Sequence, residues 1–253
     1  MKAKVRKGIG ILMILAAIGC IGYIGWYEHK KSAGEDVYSK VQKEVENTKK
    51  KKKTYTEDTE KYVSPIDFGS LQKTNADIYA WIEIPDTQIN YPIVQSESED
   101  SYYLNHTIDG KEGYPGSIYT ESLNAKDFKD FNTVVYGHNM KDGSMFRGLH
   151  EYEDEQYLKE HPYVYIYTPT EKITYRIFAA VVYSNAHILK SYDFSDMDQR
   201  QLYLDSVLGS RDMRNSLDDS VRVGTDSHIL TLSTCIGGQP DNRYLVEAVQ
   251  VDE

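Results

Sequence analysis

The sequence predicts a mainly β domain, a closed barrel of eight strands with helices added to it. Eight short strand-like runs separated by turn residues follow Ile66, and two longer segments between them have helical spacing. The aromatic and β-branched residues that are plentiful beyond Tyr62 can supply a core for one domain of about 190 residues. Closing the sheet removes the exposed strand edges that an open sheet would leave, so a barrel is favoured.

The strand-like runs are bounded by glycine, proline, asparagine and aspartate. They cover residues 80–84, 91–94, 116–119, 133–136, 163–167, 173–183, 228–234 and 244–251. Helices are predicted at residues 68–78, 145–161 and 197–217. The last of these is supported by the helical spacing of its apolar residues, Leu202, Val207, Leu208 and Met213.

Along its length the chain divides into three parts. Residues 1–27 are a basic stub and a predicted transmembrane signal anchor, residues 28–62 a polar, lysine-rich spacer, and residues 63–253 the folded domain. Valines recur every four residues at Val37, Val41 and Val45, which predicts a short amphipathic helix within the spacer.

Residues 8–27 are uncharged, and their number matches what a helix needs to cross a membrane. Four basic residues precede them, which predicts a cytoplasmic N-terminus. We therefore expect a single-pass protein of the cell membrane with its folded domain outside the cell. A cleaved signal peptide, or a lipoprotein signal ending at Cys20, is less favoured because the apolar run continues to Trp26 and Tyr27.

The charge of the chain is unevenly distributed. Residues 1–53 contain 13 Lys and Arg against 5 Asp and Glu, whereas the rest of the chain contains 16 against 34. Nucleic-acid binding requires a basic surface, so the acidic domain argues against nucleic acid as a partner.

Only two cysteines are present, and Cys20 lies in the predicted anchor. Cys235 therefore has no partner for an intramolecular disulfide. It ends the strand-like run ILTLSTC, which Gly237 and Gly238 interrupt. Such a cysteine is either a small buried apolar residue or a reactive thiol.

His138 lies near the end of another strand-like run, NTVVYGHNM, where Gly137 and Asn139 indicate a turn. A single histidine is more often a surface or hydrogen-bonded core residue than a catalyst. However, His138 and Cys235 both lie at strand ends, which a barrel can bring together. A thiolate is a nucleophile for acyl transfer, and an imidazole can exchange its proton near neutral pH, so the pair indicates acyl-transfer chemistry.

Arg243 lies eight residues after Cys235, at the start of the last strand. Across a short loop, this spacing can return the guanidinium to the side of the thiol. Its donors, together with a backbone N–H near Ile236, could stabilise the oxyanion of a tetrahedral intermediate. Taken alone, Arg243 is an ordinary exposed arginine, and its proposed role depends on the other two residues.

The segments around these three residues resemble the sortase family. TLSTC followed by Arg243 resembles the signature TLxTC…R, and YGHNMKDGSMF resembles the histidine segment of class B sortases. Upstream, WIEIPDTQINYPIVQ, YYLNH and GSIY also resemble class B sequence. The resemblance covers roughly residues 77–251, with histidine, cysteine and arginine in the expected order.

The resemblance implies a sortase-type eight-stranded β-barrel with N-terminal helices and an added helix before the cysteine strand, to which residues 197–217 correspond. It implies that residues 63–253 form a catalytic sortase domain. The implied catalytic residues are His138, Cys235 and Arg243, and the implied substrate-binding residues are Tyr136, Ser233 and Thr234.

The implied reaction is a cysteine transpeptidation. Cys235 attacks a backbone carbonyl in the C-terminal sorting signal of a secreted protein, which is typically NPxTN-like in class B enzymes, and forms a thioacyl enzyme. An amine of a peptidoglycan precursor then resolves it. The expected partners are secreted proteins bearing that signal, the precursor amine and, through residues 8–27, the membrane.

Three alternatives remain open. In the first, a pilin lysine replaces the peptidoglycan amine and the chain is a pilin polymerase. In the second, water replaces the amine and the chain is a cysteine protease, although the QACxG-type surroundings of caspases are absent. In the third, the chain is a surface adhesin whose Cys235 is buried. No cofactor or metal is expected, because the remaining histidines lack spacing such as HExxH.

Overall fold

The structure is a computed structural model that describes residues 2–52 and 62–252. The described residues form five α-helices: α1 (Lys2–Lys52), α2 (Phe68–Thr74), α3 (Glu155–Glu160), α4 (Ile188–Ser191) and α5 (Met197–Leu208). They form nine strands: β1 (Ile78–Glu83), β2 (Asn90–Val94), β3 (Ile118–Tyr119), β4 (Asn132–Tyr136), β5 (Tyr163–Tyr167), β6 (Lys172–Ser184), β7 (Ser216–Leu217), β8 (Ile229–Ile236) and β9 (Gln239–Val251). Two 3₁₀ helices lie at Tyr102–Leu104 and Phe146–Glu153.

Eight of these strands close into a barrel. Their order is β5-β1-β2-β3-β4-β8-β9-β6, and β6 pairs with β5 to complete the ring. The short strand β7 pairs with β6 outside the ring. Within the ring, the pairs β2–β3 and β4–β8 are parallel and the others are antiparallel. The prediction of an eight-stranded barrel with added helices is confirmed.

Side chains on the two faces of each strand build two apolar cores. On β8, Leu230 and Leu232 lie in the core inside the barrel, whereas Ile229 lies in a second core on its outer wall. Helix α5 covers this outer core with Tyr203 and Val207. The odd-numbered residues of β8 therefore face the outer wall, on the side of α5.

Two predicted helices have different limits in the structure. Helix α5 ends at Leu208 instead of residue 217, because Gly209 ends the helix and Ser216 pairs with Ala180 of β6. The segment 145–161 divides into a 3₁₀ helix and α3 at Asp154. This residue has an extended backbone, and its side chain accepts a hydrogen bond from the first turn of α3.

The N-terminal helix α1 runs without a break from Lys2 to Lys52. Within residues 2–52 and 62–252, no helix combines the length and the apolar character needed to cross a membrane. The predictions of a transmembrane anchor at residues 8–27 and of a single-pass location in the cell membrane are therefore wrong. The apolar run is the first part of a longer helix that continues into lysine-rich sequence.

The second half of α1 packs against the barrel. Its buried residues are Tyr38, Val41 and Val45. The hydroxyl of Tyr38 donates a hydrogen bond to the carbonyl of Gly116, and Lys49 Nζ lies 2.6 Å from a carboxylate oxygen of Glu83. The amphipathic spacing predicted in the spacer thus corresponds to a packed part of α1. The predicted spacer also includes residues 53–61, which lie outside the described residues.

The outer core contains a buried carboxyl group. Glu247 on β9 is fully buried and accepts hydrogen bonds from the hydroxyls of Tyr203 and Thr231, each at 2.8 Å. Burial raises the pKa of Glu247 from 4.5 to about 7, although both hydrogen bonds act in the opposite direction. The folded protein therefore keeps a proton on Glu247 at pH values where the unfolded chain has released it.

This raised pKa predicts that stability depends on pH. As pH rises from 4.5 to about 7, the free energy of unfolding should fall, and above that range the contribution of Glu247 should level off. The total fall should be roughly 1.4 kcal/mol for each unit of difference between the folded and unfolded pKa values. Glu247→Gln should reduce this dependence and gain stability at alkaline pH, because its amide does not ionise.

Urea unfolding across this pH range measures the effect. Glu151→Gln is a suitable control because its side chain is 58 % exposed. If Glu247→Gln loses stability with pH as steeply as the unchanged protein, Glu247 is not the source of the dependence.

Candidate active site

Parallel pairing brings the ends of β4 and β8 to the same level. In this ladder Tyr136 lies opposite Ser233. His138 lies two residues after Tyr136, and Cys235 lies two residues after Ser233. Both residues therefore lie at the same distance beyond the last pair of the β4–β8 ladder. These are the two strand-end residues that the sequence analysis singled out as a possible thiol–imidazole pair.

Gly137 connects the two strand ends beyond the last paired residues of β4. Its N–H donates to the carbonyl of Ser233 at 3.1 Å, and its carbonyl accepts from the hydroxyl of Thr234 at 2.8 Å. A Cβ atom at this position would lie 2.5 Å from Ile118 and 2.6 Å from Phe146. The absence of a side chain therefore lets the chain pass close to its neighbours immediately before His138.

Antiparallel pairing places Arg243 of β9 opposite Cys235 of β8. The chain turns between them at Gly238, whose φ of 76° lies in the left-handed region. Nη1 of Arg243 donates to the carbonyls of Pro240 and Asn242 at 3.0 and 2.9 Å. The spacing of eight residues thus corresponds to a hairpin that returns the arginine to the level of the cysteine.

A pocket of about 240 Å³ opens on the outer wall of the barrel at these strand ends. All six residues predicted for the site line it: Tyr136, His138, Ser233, Thr234, Cys235 and Arg243. Cys235 is exposed, although the residues on either side of it in β8 are buried. An exposed thiol does not fit the adhesin alternative, which requires a buried cysteine.

His138 is oriented by the main chain of the Tyr102–Leu104 helix. Its Nε2 lies 2.6 Å from the carbonyl oxygen of Leu104. A carbonyl can only accept, so Nε2 carries the proton of this bond, and in the neutral ring Nδ1 carries the lone pair. Gly116, with a φ of 68°, passes beside the ring, where a Cβ would lie 3.1 Å from the Cδ2 of His138.

Two stacked tyrosines line the pocket beside the thiol. The rings of Tyr119 and Tyr136 lie 5.3 Å apart, with 28° between their planes. Burial raises the pKa of both hydroxyl groups far above the ordinary value, and the charge of Glu121 acts in the same direction. Both phenols are therefore neutral at physiological pH and add no negative charge next to Cys235.

A histidine–carboxylate pair forms another part of the site. His187 lines the pocket, and its Nε2 lies 2.6 Å from a carboxylate oxygen of Glu121. The pair connects the segment before α4 to the segment after β3. The sequence analysis did not select either residue, because no spacing pattern relates positions 121 and 187.

Behind Cys235 lie two further polar side chains that the sequence did not indicate. Asn139 Nδ2 and His150 Nε2 lie 2.8 and 3.0 Å from the carbonyl oxygen of Cys235. Asn139 lies in the YGHNM segment, so its position next to His138 could have indicated a role in the site. No sequence pattern indicated one for His150. The contacts are made to main-chain carbonyls, those of Cys235 and Leu104. Every residue has such a carbonyl, so these contacts cannot be predicted from residue types.

Comparisons with known proteins give consistent matches. The sequence model of the sortase domain matches residues 82–251. The chain is 30% identical over 240 residues to sortase B of Listeria monocytogenes, and the alignment covers 92% of each chain.

Solved structures also match. A Staphylococcus aureus sortase B–substrate complex superposes with a TM-score of 0.73 at 26% identity, covering 87% of this chain and 97% of that one. Sortase B from B. anthracis in complex with AAEK1 superposes with a TM-score of 0.69 at 30% identity, covering 91% and 100%. The residues matched by the family model include all those that line the pocket.

The close packing around Gly137 predicts the effect of a single methyl group. Gly137→Ala should lower the free energy of unfolding by about 1–3 kcal/mol, because Ile118 and Phe146 must shift to admit the Cβ. Gly148→Ala is a matched control, because its Cβ would meet Ile89 at an ordinary 3.6 Å. Denaturant unfolding compares the two variants. Equal stability would show that the backbone at residue 137 is not tightly enclosed.

Proposed function

This chain belongs to the sortase family of transpeptidases, and from that premise we propose that Cys235 is its nucleophile, His138 its proton partner and Arg243 the support for the developing negative charge. The observation that carries this proposal is the convergence of these three residues on one pocket, with the thiol exposed. The match of the sortase domain to residues 82–251, which include all three, supports it further.

In the first half of the reaction, Nδ1 of His138 takes the proton of the Cys235 thiol, and the resulting thiolate attacks a backbone carbonyl of the substrate and forms an S–C bond. The resulting oxyanion is stabilised by the guanidinium of Arg243 and by the N–H of Ile236. When the intermediate collapses, the peptide C–N bond breaks and His138 gives a proton to the leaving amine. The products are a thioacyl enzyme and the released C-terminal fragment.

In the second half, an acceptor amine attacks the thioester carbonyl. His138 takes the proton that this amine loses, and the thiolate of Cys235 leaves as the new amide bond forms. The hydrogen bond from Nε2 to Leu104 holds the ring in one orientation throughout, so Nδ1 is the nitrogen that exchanges the proton. The reaction begins and ends with the same charge on the enzyme.

The substrate-binding role proposed for Tyr136, Ser233 and Thr234 rests on their position along the pocket. Tyr136 offers an uncharged aromatic wall together with Tyr119. The hydroxyl of Thr234 is already bonded to Gly137, so this residue contributes shape to the pocket and keeps the strand ends in place.

The proposed donor substrate is a secreted protein with a C-terminal NPxTN-like sorting signal, and the proposed acceptor is an amine of a peptidoglycan precursor. This finer assignment rests on the class B segments in the sequence and on similarity to sortase B of Listeria monocytogenes. The Staphylococcus aureus sortase B that superposes on this chain was solved as a substrate complex, which supports a substrate-binding role for this fold.

The proposed nucleophile gives a direct prediction. Cys235→Ala should abolish both the thioacyl adduct and the transfer of an NPxTN-like peptide, because the attacking sulfur is removed. Cys20→Ala is the matched control, since Cys20 is also exposed but lies on α1. Intact-mass spectrometry and chromatography of the reaction with peptide and amine measure the two effects. Undiminished transfer by Cys235→Ala would remove this residue from the mechanism.

The proposed support of the oxyanion gives a second prediction. Arg243→Lys keeps the positive charge but loses the planar fork of donors, so turnover should fall by several-fold to about a thousandfold. Arg211→Lys is a matched control, because the Nη1 of Arg211 also donates to two main-chain carbonyls, those of Leu208 and Ser210. Steady-state kinetics compares them. Equal rates in both variants would make Arg243 a structural residue.

A further inference from the structure

Two side chains lie against the carbonyl oxygen of Cys235. Asn139 Nδ2 donates to it at 2.8 Å, and His150 Nε2 lies 3.0 Å from it. The two nitrogens are themselves 3.0 Å apart. Asn139 directly follows His138 in the chain, so one turn supplies both the proposed proton partner of the thiol and a donor to its main chain.

His150 is fixed on three sides. Its Nδ1 lies 2.9 Å from a carboxylate oxygen of Glu153, and its ring stacks on Tyr244 with centroids 5.1 Å apart and 21° between the planes. Its side chain is only 9 % exposed. The Glu153 carboxylate can only accept, so Nδ1 carries the proton of the neutral ring. Nε2 then accepts from Nδ2 of Asn139, which is itself the donor to the Cys235 carbonyl.

We propose that Asn139 and His150 are positioning residues that hold the Cys235–Ile236 peptide group for catalysis. The inference rests on the proposed function, because it concerns the main chain of the proposed nucleophile. A peptide group is planar and trans, so holding its oxygen in place also fixes the direction of the Ile236 N–H on the opposite side. The hydrogen bond from Asn139 to the oxygen also polarises the group, which makes the N–H a stronger donor to an oxyanion.

The arrangement assigns a different task to each histidine. The nitrogens of His150 face a carboxylate and a main-chain oxygen, so this ring supports the peptide group and does not exchange the proton of the thiol. His138 lines the pocket with Cys235. Loss of His150 should therefore affect the step in which an oxyanion forms, and should leave the reactivity of the thiol itself nearly unchanged.

Two rates separate these effects. Acylation by a peptide with an NPxTN-like motif passes through an oxyanion, whereas alkylation of Cys235 by iodoacetamide does not. Both rates are measured under single-turnover conditions by intact-mass spectrometry, in a Cys20→Ala background so that one thiol is observed. Thermal unfolding of every variant reports whether the fold is kept.

In this background, His150→Phe keeps an aromatic ring beside Tyr244 but removes both nitrogens. Its acylation rate should fall by about tenfold or more, less than the loss expected for removing an oxyanion donor outright. Its alkylation rate should stay near that of the parent protein. His150→Gln, whose amide oxygen can still accept a hydrogen bond from Asn139, should recover part of the acylation rate.

His161→Phe is the matched control, because the ring of His161 also lies against a tyrosine, Tyr157, and its Nδ1 also lies near a main-chain carbonyl, that of Pro85. It should leave both rates unchanged. Asn139→Ala removes the donor to the Cys235 carbonyl and should repeat the selective loss of acylation, which keeps the inference testable if His150→Phe does not fold.

Three results would overturn the inference: acylation by both variants at the parental rate, a parallel loss of acylation and alkylation with a lower melting temperature, or an equal effect of His161→Phe. A failure of the proposed function looks different. In that case Cys235→Ala still transfers the peptide, or the parent protein forms no thioacyl adduct at all.

Discussion

The parallel pairing of β4 with β8 is the constraint on which the pocket depends. In a parallel ladder, residues that follow a matched pair by the same number of positions lie side by side. Tyr136 and Ser233 are the matched pair here, and His138 and Cys235 follow them by two positions. Strand β8 also pairs with β9 on its other side, which places Arg243 opposite the cysteine. A shift of one residue in either ladder would turn the side chains of a strand to its other face and break up the group. The contacts of Gly137 with β8, and the enclosure of its backbone, hold the first of these ladders in register.

The pocket lies on the outer wall of the barrel because the inside is filled. Leu232 and Val246 are fully buried in the inner core, whereas Leu245 belongs to the outer core and also lines the pocket. Glu247 lies two residues beyond Leu245 on the same face of β9, under α5. The face that ends in the proposed catalytic residues thus also carries a buried carboxyl group whose pKa is raised by burial.

Most strands were predictable from sequence because their apolar, β-branched runs end at turn residues, and β5 was predicted with its observed limits, Tyr163–Tyr167. Long-range pairing was not predictable in this way. The sequence 197–217 has helical spacing, yet Ser216 and Leu217 form a strand. They do so because they pair with Ala180 and Ala179 of β6, which are distant in the sequence. At the N-terminus, the number of uncharged residues predicted a membrane-spanning helix, and residues 2–52 and 62–252 contain no helix long and apolar enough for that.

For the site, the convergence of His138, Cys235 and Arg243 on one pocket was predictable because each lies at the end of a recognisable strand. Their supports were not. The carbonyls of Leu104 and Cys235 act through the main chain, and His150 reaches the site from a 3₁₀ helix that the sequence predicted only as part of a longer helix. The sequence gives the chemical type of each side chain directly. The main-chain groups that orient these side chains can be identified only when the fold is known.

The most direct test of the central claim is a crystal structure of the protein after reaction with a sorting-signal peptide that carries a thiol-reactive group in place of the scissile carbonyl. We predict one covalent bond, to Sγ of Cys235, with the His138 ring and the Arg243 guanidinium both within hydrogen-bond distance of the reacted group. A bond to any other residue, or a structure in which either of those two side chains points away from the adduct, would contradict the convergence of thiol, imidazole and guanidinium on a single carbonyl.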